Sequence, residues 1–122
     1  PLKGIIKNQL IEVKSLMVKV TFVEFDKTEH TVDADEGMSL MEVALQNGVP
    51  GIDADCGGAC ACATCHIYVD QNWVDKTGEA EQMEQDMLDF AFDVTDQSRL
   101  SCQVKVTNDL DGIIINLPEK QF

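Results

Sequence analysis

Four of the five cysteines lie in one short stretch, CGGACACATCH, which runs from Cys56 to His66. Its spacing is Cys56-x5-Cys62-x2-Cys65, and the remaining cysteine, Cys102, follows thirty-seven positions after the last of these. Three thiolates from one loop and a fourth from a distant part of the chain satisfy the four-cysteine ligation of a 2Fe-2S cluster. The cysteines therefore predict a metal centre, and an iron–sulfur cluster is the chemistry that the spacing favours.

The residues between these cysteines are small, which suits a loop that wraps a compact cluster. From Gly57 to Thr64 every residue other than cysteine is glycine, alanine or threonine. The sulfides and thiolates of a cluster carry negative charge and accept hydrogen bonds from backbone N–H groups, which bulky side chains would hold away. Glycine also adopts the positive-φ turns that such a loop requires.

Other chemistries use parts of the same motif and remain as alternatives. Cys62, Cys65 and His66 spell the C-x-x-C-H signature of covalent haem attachment, but haem would leave two neighbouring cysteines unexplained. A thioredoxin-like redox pair would open a helix, whereas this pair precedes a predicted strand. A four-cysteine zinc site is the strongest alternative, although such sites usually pair two C-x2–4-C units and Cys102 has no neighbouring cysteine. The plant-type spacing C-x4-C-x2-C does not occur in the sequence.

The elements around the motif must hold it in place. Alternating apolar residues, many of them β-branched, predict strands at Val18–Phe25, Glu29–Ala34, Ile67–Val69, Arg99–Val106 and Gly112–Leu117. A turn at residues 26–28 joins the first two strands into a hairpin. Ser39 and Glu42 form the S-x-x-E capping box of a helix that Asn47 and Gly48 end. Strands that flank separate helices indicate a small α+β domain.

A second helix is predicted over residues 79–94. Apolar residues recur along it at helical spacing and predict one buried stripe, formed by Met83, Met87, Phe90, Ala91 and Val94. Between Glu79 and Asp96 there are seven acidic residues and no basic residue. We expect these acids to lie largely on the side of the helix that faces solvent.

The charge of the whole chain is strongly acidic, with 22 acidic against 9 basic residues and a formal net charge of −13. Phosphates repel such a surface, so we expect neither nucleic acid nor an anionic membrane as a partner. No apolar run approaches the roughly 20 residues of a membrane span. A basic protein partner suits the charge.

The length predicts one domain, and we expect a monomer. Met17 directly precedes the first predicted strand, so we expect the domain to cover residues 17–122, with residues 1–16 an N-terminal extension or a cloning remnant. The first residues lack the pattern of a secretory signal or a transit peptide. The odd number of cysteines also favours a reducing compartment, and we expect the bacterial cytoplasm rather than the mitochondrial matrix.

Two stretches, DCGGACACATCH and QDMLDFAFDVTDQSRLSCQ, closely resemble the adrenodoxin/putidaredoxin class of 2Fe-2S ferredoxins, and the similarity extends over about residues 17–122. The resemblance implies an α+β, β-grasp fold: a mixed, twisted sheet, a helix packed across it and a surface loop that binds the cluster. It implies four cluster ligands, namely Cys56, Cys62, Cys65 and Cys102. Cys60 is then left over as a small, half-buried residue, and His66 ties the cluster loop to the body of the protein through a hydrogen bond.

The resemblance also implies a function, that of a one-electron carrier rather than an enzyme. The carrier would take electrons from an NAD(P)H-dependent flavoprotein ferredoxin reductase to a cytochrome P-450 class monooxygenase. The implied docking residues are Asp55, Glu84, Asp86, Asp89 and Phe122.

Two alternatives to this function stay open. Cysteine at position 60 is common in members that supply electrons to the iron–sulfur cluster assembly machinery, although the chain end at Phe122 differs from theirs. A zinc-stabilised interaction module would use the same cysteines without any redox change.

Overall fold

The computed structural model describes residues 17–52, 65–119 and 121. Its strands are β1 (Met17–Val23), β2 (Glu29–Asp35), β3 (His66–Val69), β4 (Ser98–Leu100) and β5 (Ile113–Asn116). Its helices are α1 (Leu40–Gln46) and α2 (Gln82–Leu88), with short 3₁₀ helices at Gln71–Lys76, Ser101–Gln103 and Asn108–Leu110. None of these helices has the length and apolar character needed to cross a membrane.

The described strands form one mixed sheet in the order β2-β1-β5-β3-β4. β1 pairs in parallel with β5, and the other neighbouring strands are antiparallel. The alternation in β1 sends Val18, Val20 and Phe22 into the core, where all three are fully buried. The adjacent Lys19 and Thr21 lie on the opposite face of the strand. The mixed sheet with its helices confirms the predicted α+β class, and the predicted hairpin of β1 and β2 is present.

Helix α1 begins at the predicted capping box. The Ser39 hydroxyl accepts from the backbone N–H of Glu42 at 3.1 Å, and the Glu42 carboxylate accepts from the backbone N–H of Ser39 at 3.3 Å. The helix ends at Asn47, and Gly48 follows with a positive φ of 68°. Both ends of α1 therefore lie where the local sequence signals predict them.

Helix α1 also supports the chain that carries Cys102. Its residues Leu40, Val43 and Ala44 are fully buried in the same core as the sheet. The helix packs against the 3₁₀ helix Ser101–Gln103, and the backbone N–H of Leu40 donates to the carbonyl of Val104 at 3.0 Å. The cap of α1 thus bears on the position of one predicted ligand.

The strand predicted over Arg99–Val106 is much shorter in the structure. It ends at Leu100, because the chain turns there into the 3₁₀ helix that contains Cys102. The backbone N–H and the hydroxyl of Ser101 hold this turn, donating to the carbonyl of Cys65 at 2.9 and 2.8 Å. A side-chain hydrogen bond to a residue thirty-six positions away cannot be read from strand periodicity.

The helix predicted over residues 79–94 is likewise shorter, and the prediction of its buried stripe is wrong in part. α2 covers Gln82–Leu88, and tight turns follow it up to Asp93, whose φ of 58° lies outside the helical region. Three members of the predicted stripe are exposed, namely Met83, Phe90 and Val94. Glu84 and Leu88 are buried instead. The helix is rotated relative to the prediction because the carboxylate of Glu84 pairs with Arg99 beneath it.

We predict that Ser39→Ala lowers the thermal unfolding midpoint by about 5 °C, because losing an N-cap hydroxyl costs about 1 kcal/mol and a domain of this size shifts by several degrees per kcal/mol. Ser39→Thr is the matched control, since threonine keeps the capping oxygen. The measurement is circular dichroism at a fixed scan rate. Equal midpoints for both variants would contradict a capping role.

Candidate metal centre

Two of the four predicted ligands meet at one end of the sheet. Cys65 directly precedes β3 and Cys102 closely follows β4, and the antiparallel register that pairs His66 with Leu100 brings these flanking positions together. Their sulfurs are 3.3 Å apart, and both residues are buried. This separation is well beyond the roughly 2.05 Å of an S–S bond, so the two sulfurs are not joined to each other.

The surroundings of these sulfurs suit metal ligation. The Cys65 carbonyl is held by Ser101, and the side-chain amide of Gln103 donates to the sulfur of Cys102 at 3.4 Å. A donor aimed at sulfur favours the charged thiolate, which is the form that binds metal. Soft thiolates select iron–sulfur clusters or zinc over hard cations. The donor set therefore fits the 2Fe-2S cluster that the sequence predicts.

The other predicted ligands, Cys56 and Cys62, lie outside the described residues, as do Cys60, Asp55 and Phe122. Their roles stay predictions. Within the described ranges no group of three histidine, cysteine or acidic side chains is placed to hold a metal ion.

His66 is a buried side chain that ties β3 to its neighbours. Its Nε2 lies 2.8 Å from the hydroxyl of Ser98 on β4, and its ring meets Tyr68 edge-on with 4.8 Å between ring centroids. Burial lowers the pKa of His66 to about 4, so the ring is neutral at physiological pH. The other histidine, His30, pairs with Glu24 at 2.6 Å in the β1–β2 hairpin. The pair of histidines that a Rieske centre needs on one iron is therefore not assembled.

Gln121 is a site residue that the sequence analysis missed. Its side chain is only 4% exposed. The Oε1 atom accepts from the backbone N–H of His66 at 2.8 Å, while Nε2 donates to the carbonyls of His66 and Gly51. Gly51 precedes the cysteine-rich segment and His66 follows it. A polar residue near the chain end gives no sequence signal for such a buried clamp.

The Arg99–Glu84 pair joins α2 to β4. Arg99 Nε and Nη2 donate to the two carboxylate oxygens of Glu84 at 2.6 and 3.0 Å, and the backbone N–H of Leu100 donates to one of them at 2.9 Å. Arg99 Nη1 also donates to the carbonyls of Thr77 and Gly78 at 3.1 and 3.0 Å. Both side chains of the pair are buried, so this charge is neutralised inside the protein.

The prediction that Glu84 is a docking residue is therefore wrong. Its carboxylate is 3% exposed, and each of its oxygens already accepts a hydrogen bond within the chain. Asp86 and Asp89 are exposed, as a docking role requires. Asp86 accepts a hydrogen bond at 2.8 Å from Nε2 of Gln82, which lies one turn earlier on the same helix.

Comparison with known proteins agrees with this centre. The profile of the family described as "2Fe-2S iron-sulfur cluster binding domain" matches residues 23–107. Ferredoxin CarAc of a Sphingomonas species is 48% identical over 104 residues, which cover 85% of this chain and 95% of that protein. Putidaredoxin of Pseudomonas putida is 41% identical over 107 residues, which cover 87% of this chain and 100% of that protein.

Solved structures give the same picture of the fold. The crystal structure of a ferredoxin from Rhodopseudomonas palustris HaA2 matches with a TM-score of 0.83 at 43% identity, covering 85% of this chain and 99% of that one. A chain of the covalent putidaredoxin reductase–putidaredoxin complex matches with a TM-score of 0.79 at 42% identity, covering 84% of this chain and 99% of that one. The predicted β-grasp architecture is confirmed.

We predict that Glu84→Gln lowers the thermal unfolding midpoint by about 10 °C or more, because removing one charge of a buried pair leaves the other uncompensated at a cost of about 3 kcal/mol. Asp86→Asn removes the same charge from the exposed side of α2 and should change the midpoint by little. Circular dichroism at one scan rate checks both variants. Similar losses in the two would contradict a structural role specific to Glu84.

Proposed function

We propose that this chain, which belongs to the family of 2Fe-2S ferredoxins, passes single electrons from an NAD(P)H-dependent flavoprotein reductase to a cytochrome P-450 class monooxygenase. It carries a 2Fe-2S cluster and is an electron carrier rather than an enzyme. The observation that carries the proposal is the convergence of Cys65 and Cys102 in the core, with 3.3 Å between their sulfurs. Support for the reductase comes from the match to a ferredoxin held in a reductase complex.

The cluster supplies the one-electron redox chemistry when it is bound, and the chain's residues hold and shield it. We assign the ligands as Cys56, Cys62, Cys65 and Cys102. Two of them lie within the described residues and are fixed by the β3–β4 pairing and by Ser101. Cys60 stays outside the ligand set in this assignment.

Docking in this proposal uses charge. Asp86 and Asp89 are exposed on a chain of net charge −13, so a basic partner surface would be steered toward them. We also propose Asp55, which precedes the first ligand, as a docking residue. Phe122 is proposed as a docking residue because the adjoining Gln121 hydrogen-bonds to Gly51 and His66, on both flanks of the cysteine-rich segment. A reductase and a monooxygenase would then bind alternately and weakly.

Electron supply to the cluster-assembly machinery is the second candidate, and Cys60 is the residue that favours it. The monooxygenase route is preferred because the match to putidaredoxin covers 100% of that protein. We place the protein in the bacterial cytoplasm, since its relatives are bacterial and its ligand thiols must stay reduced until the cluster is inserted.

We predict that the purified protein has the visible charge-transfer absorption of an iron–sulfur cluster. Cys102→Ser should lose or severely perturb this absorption, whereas Cys60→Ser should keep it. Metal analysis alongside the spectra should find iron and acid-labile sulfide. A colourless protein that contains zinc would favour the interaction module, and bleaching by Cys60→Ser would show that the ligand assignment is in the wrong register.

We predict that added salt raises the KM of the reductase for this protein, because salt screens the attraction between an acidic docking surface and a basic partner. The double variant Asp86→Asn/Asp89→Asn should raise KM about two- to tenfold at low salt and flatten the salt dependence. Glu29→Gln/Asp35→Asn removes two exposed charges from β2 and serves as the matched control. Salt-independent kinetics of the unmodified protein would overturn the docking proposal.

A further inference from the structure

Helix α2 and the turn after it carry three parallel rows of side chains. One row, formed by Glu84, Leu88 and Ala91, faces the interior, and its first two members are buried. A second row, formed by Gln82, Asp86 and Asp89, is exposed and carries two acids. The third row, formed by Met83, Met87 and Phe90, is apolar. Each row follows the i, i+4, i+7 spacing that places residues on one face of a helix.

The apolar row faces solvent. Phe90 is 74% exposed and Met83 is 64% exposed, while Met87 is half-buried between them. The turn after α2 keeps Phe90 close to Met87, since the backbone N–H of Phe90 donates to the carbonyl of Met87 at 3.0 Å. Single exposed apolar side chains are ordinary, but aligned large ones beside polar residues mark interaction surfaces.

The helix cannot rotate to bury this row. Glu84 is held from below by Arg99 and by the backbone N–H of Leu100, and Leu88 fills the core beside it. Turning Met83 and Phe90 inward would break the buried ion pair. The exposure of the apolar row therefore follows from the packing of α2 and is a fixed property of the folded chain.

We propose that Met83, Met87 and Phe90 form the apolar centre of the docking surface, with Asp86 and Asp89 as its charged rim. The occupant is the flavoprotein reductase of the proposed function, on which this inference rests. Its matching surface would have a shallow apolar recess bordered by lysine or arginine side chains. An apolar centre inside a polar rim is the usual arrangement of protein interfaces, and a few central side chains carry most of the affinity.

Charge identifies the kind of partner. Seven acids and no base lie between Glu79 and Asp96, so two copies of this surface would repel each other while a basic surface would be attracted. The acidic row and the apolar row contribute differently to binding in this proposal. The acids set the rate and the salt dependence of encounter, and the apolar row provides contact energy that salt does not screen.

The test measures the dissociation constant of the cluster-loaded protein from putidaredoxin reductase across a range of salt concentrations. Phe90→Ser should weaken binding about tenfold at every salt concentration and leave the salt slope unchanged. Asp86→Asn/Asp89→Asn should reduce the slope instead. Leu45→Ser is the matched control, because Leu45 is an apolar side chain on α1 that is 48% exposed. No variant should lower the unfolding midpoint below that of the unmodified protein, since each replaced side chain is exposed.

The outcomes distinguish a failure of the proposed apolar centre from a failure of the proposed electron-carrier function. If the unmodified protein accepts electrons from the reductase and Phe90→Ser binds as tightly, the apolar centre is overturned and the proposed function stands. If the reductase does not reduce the unmodified protein, the proposed function falls and the inference with it. Sedimentation that finds a dimer of the unmodified protein but a monomer of Phe90→Ser would assign the apolar row to self-association and overturn the reductase as occupant.

Discussion

The buried ion pair between Glu84 and Arg99 is the constraint on which the rest of the site depends. A carboxylate in the interior is stable only when its charge is paired and its oxygens are hydrogen-bonded, and both conditions hold here. The guanidinium meets the same requirement through the carbonyls of Thr77 and Gly78. Because this geometry tolerates few alternatives, the pair fixes how α2 lies against β4.

This constraint links Cys65 and Cys102 at one end of the sheet to the proposed docking surface on α2. Arg99 lies in β4, whose register with β3 brings Cys102 to Cys65. Its partner lies in α2, whose outer faces present the acidic and apolar rows. One pair of side chains therefore relates the position of Cys102, a proposed ligand, to the orientation of the surface that is proposed to bind the reductase. Gln121 connects the two ends of the cysteine-rich segment, because its side chain hydrogen-bonds to Gly51 before the segment and to His66 at its end.

The sequence predicted what depends on neighbouring residues and missed what depends on distant ones. The hairpin and the capping box of α1 were confirmed, because turn residues and Ser39–Glu42 act over three or four positions. The orientation of α2 was not predicted correctly, because the sequence does not distinguish one of the seven acids from another. Only the ion pair with Arg99, fifteen positions away, identifies Glu84 as the buried acid. Periodicity aligned Met83, Met87 and Phe90 but wrongly predicted that they are buried together with Ala91 and Val94, because spacing alone cannot tell whether a row faces the core or solvent. The clamp of Gln121 spans fifty-five positions and has no local signal.

The placement of the acids on α2 works against the stability of this helix. A helix of seven residues is too short to be stable alone. Its C-cap is Asp89 and its last turn has no basic residue, so negative charge lies at the negative end of the helix dipole. Asp86 and Asp89 also repel each other across one turn. The helix forms despite these costs because Glu84 and Leu88 anchor it in the core. This anchoring leaves its outer faces free to carry the charged and apolar side chains of the proposed docking surface.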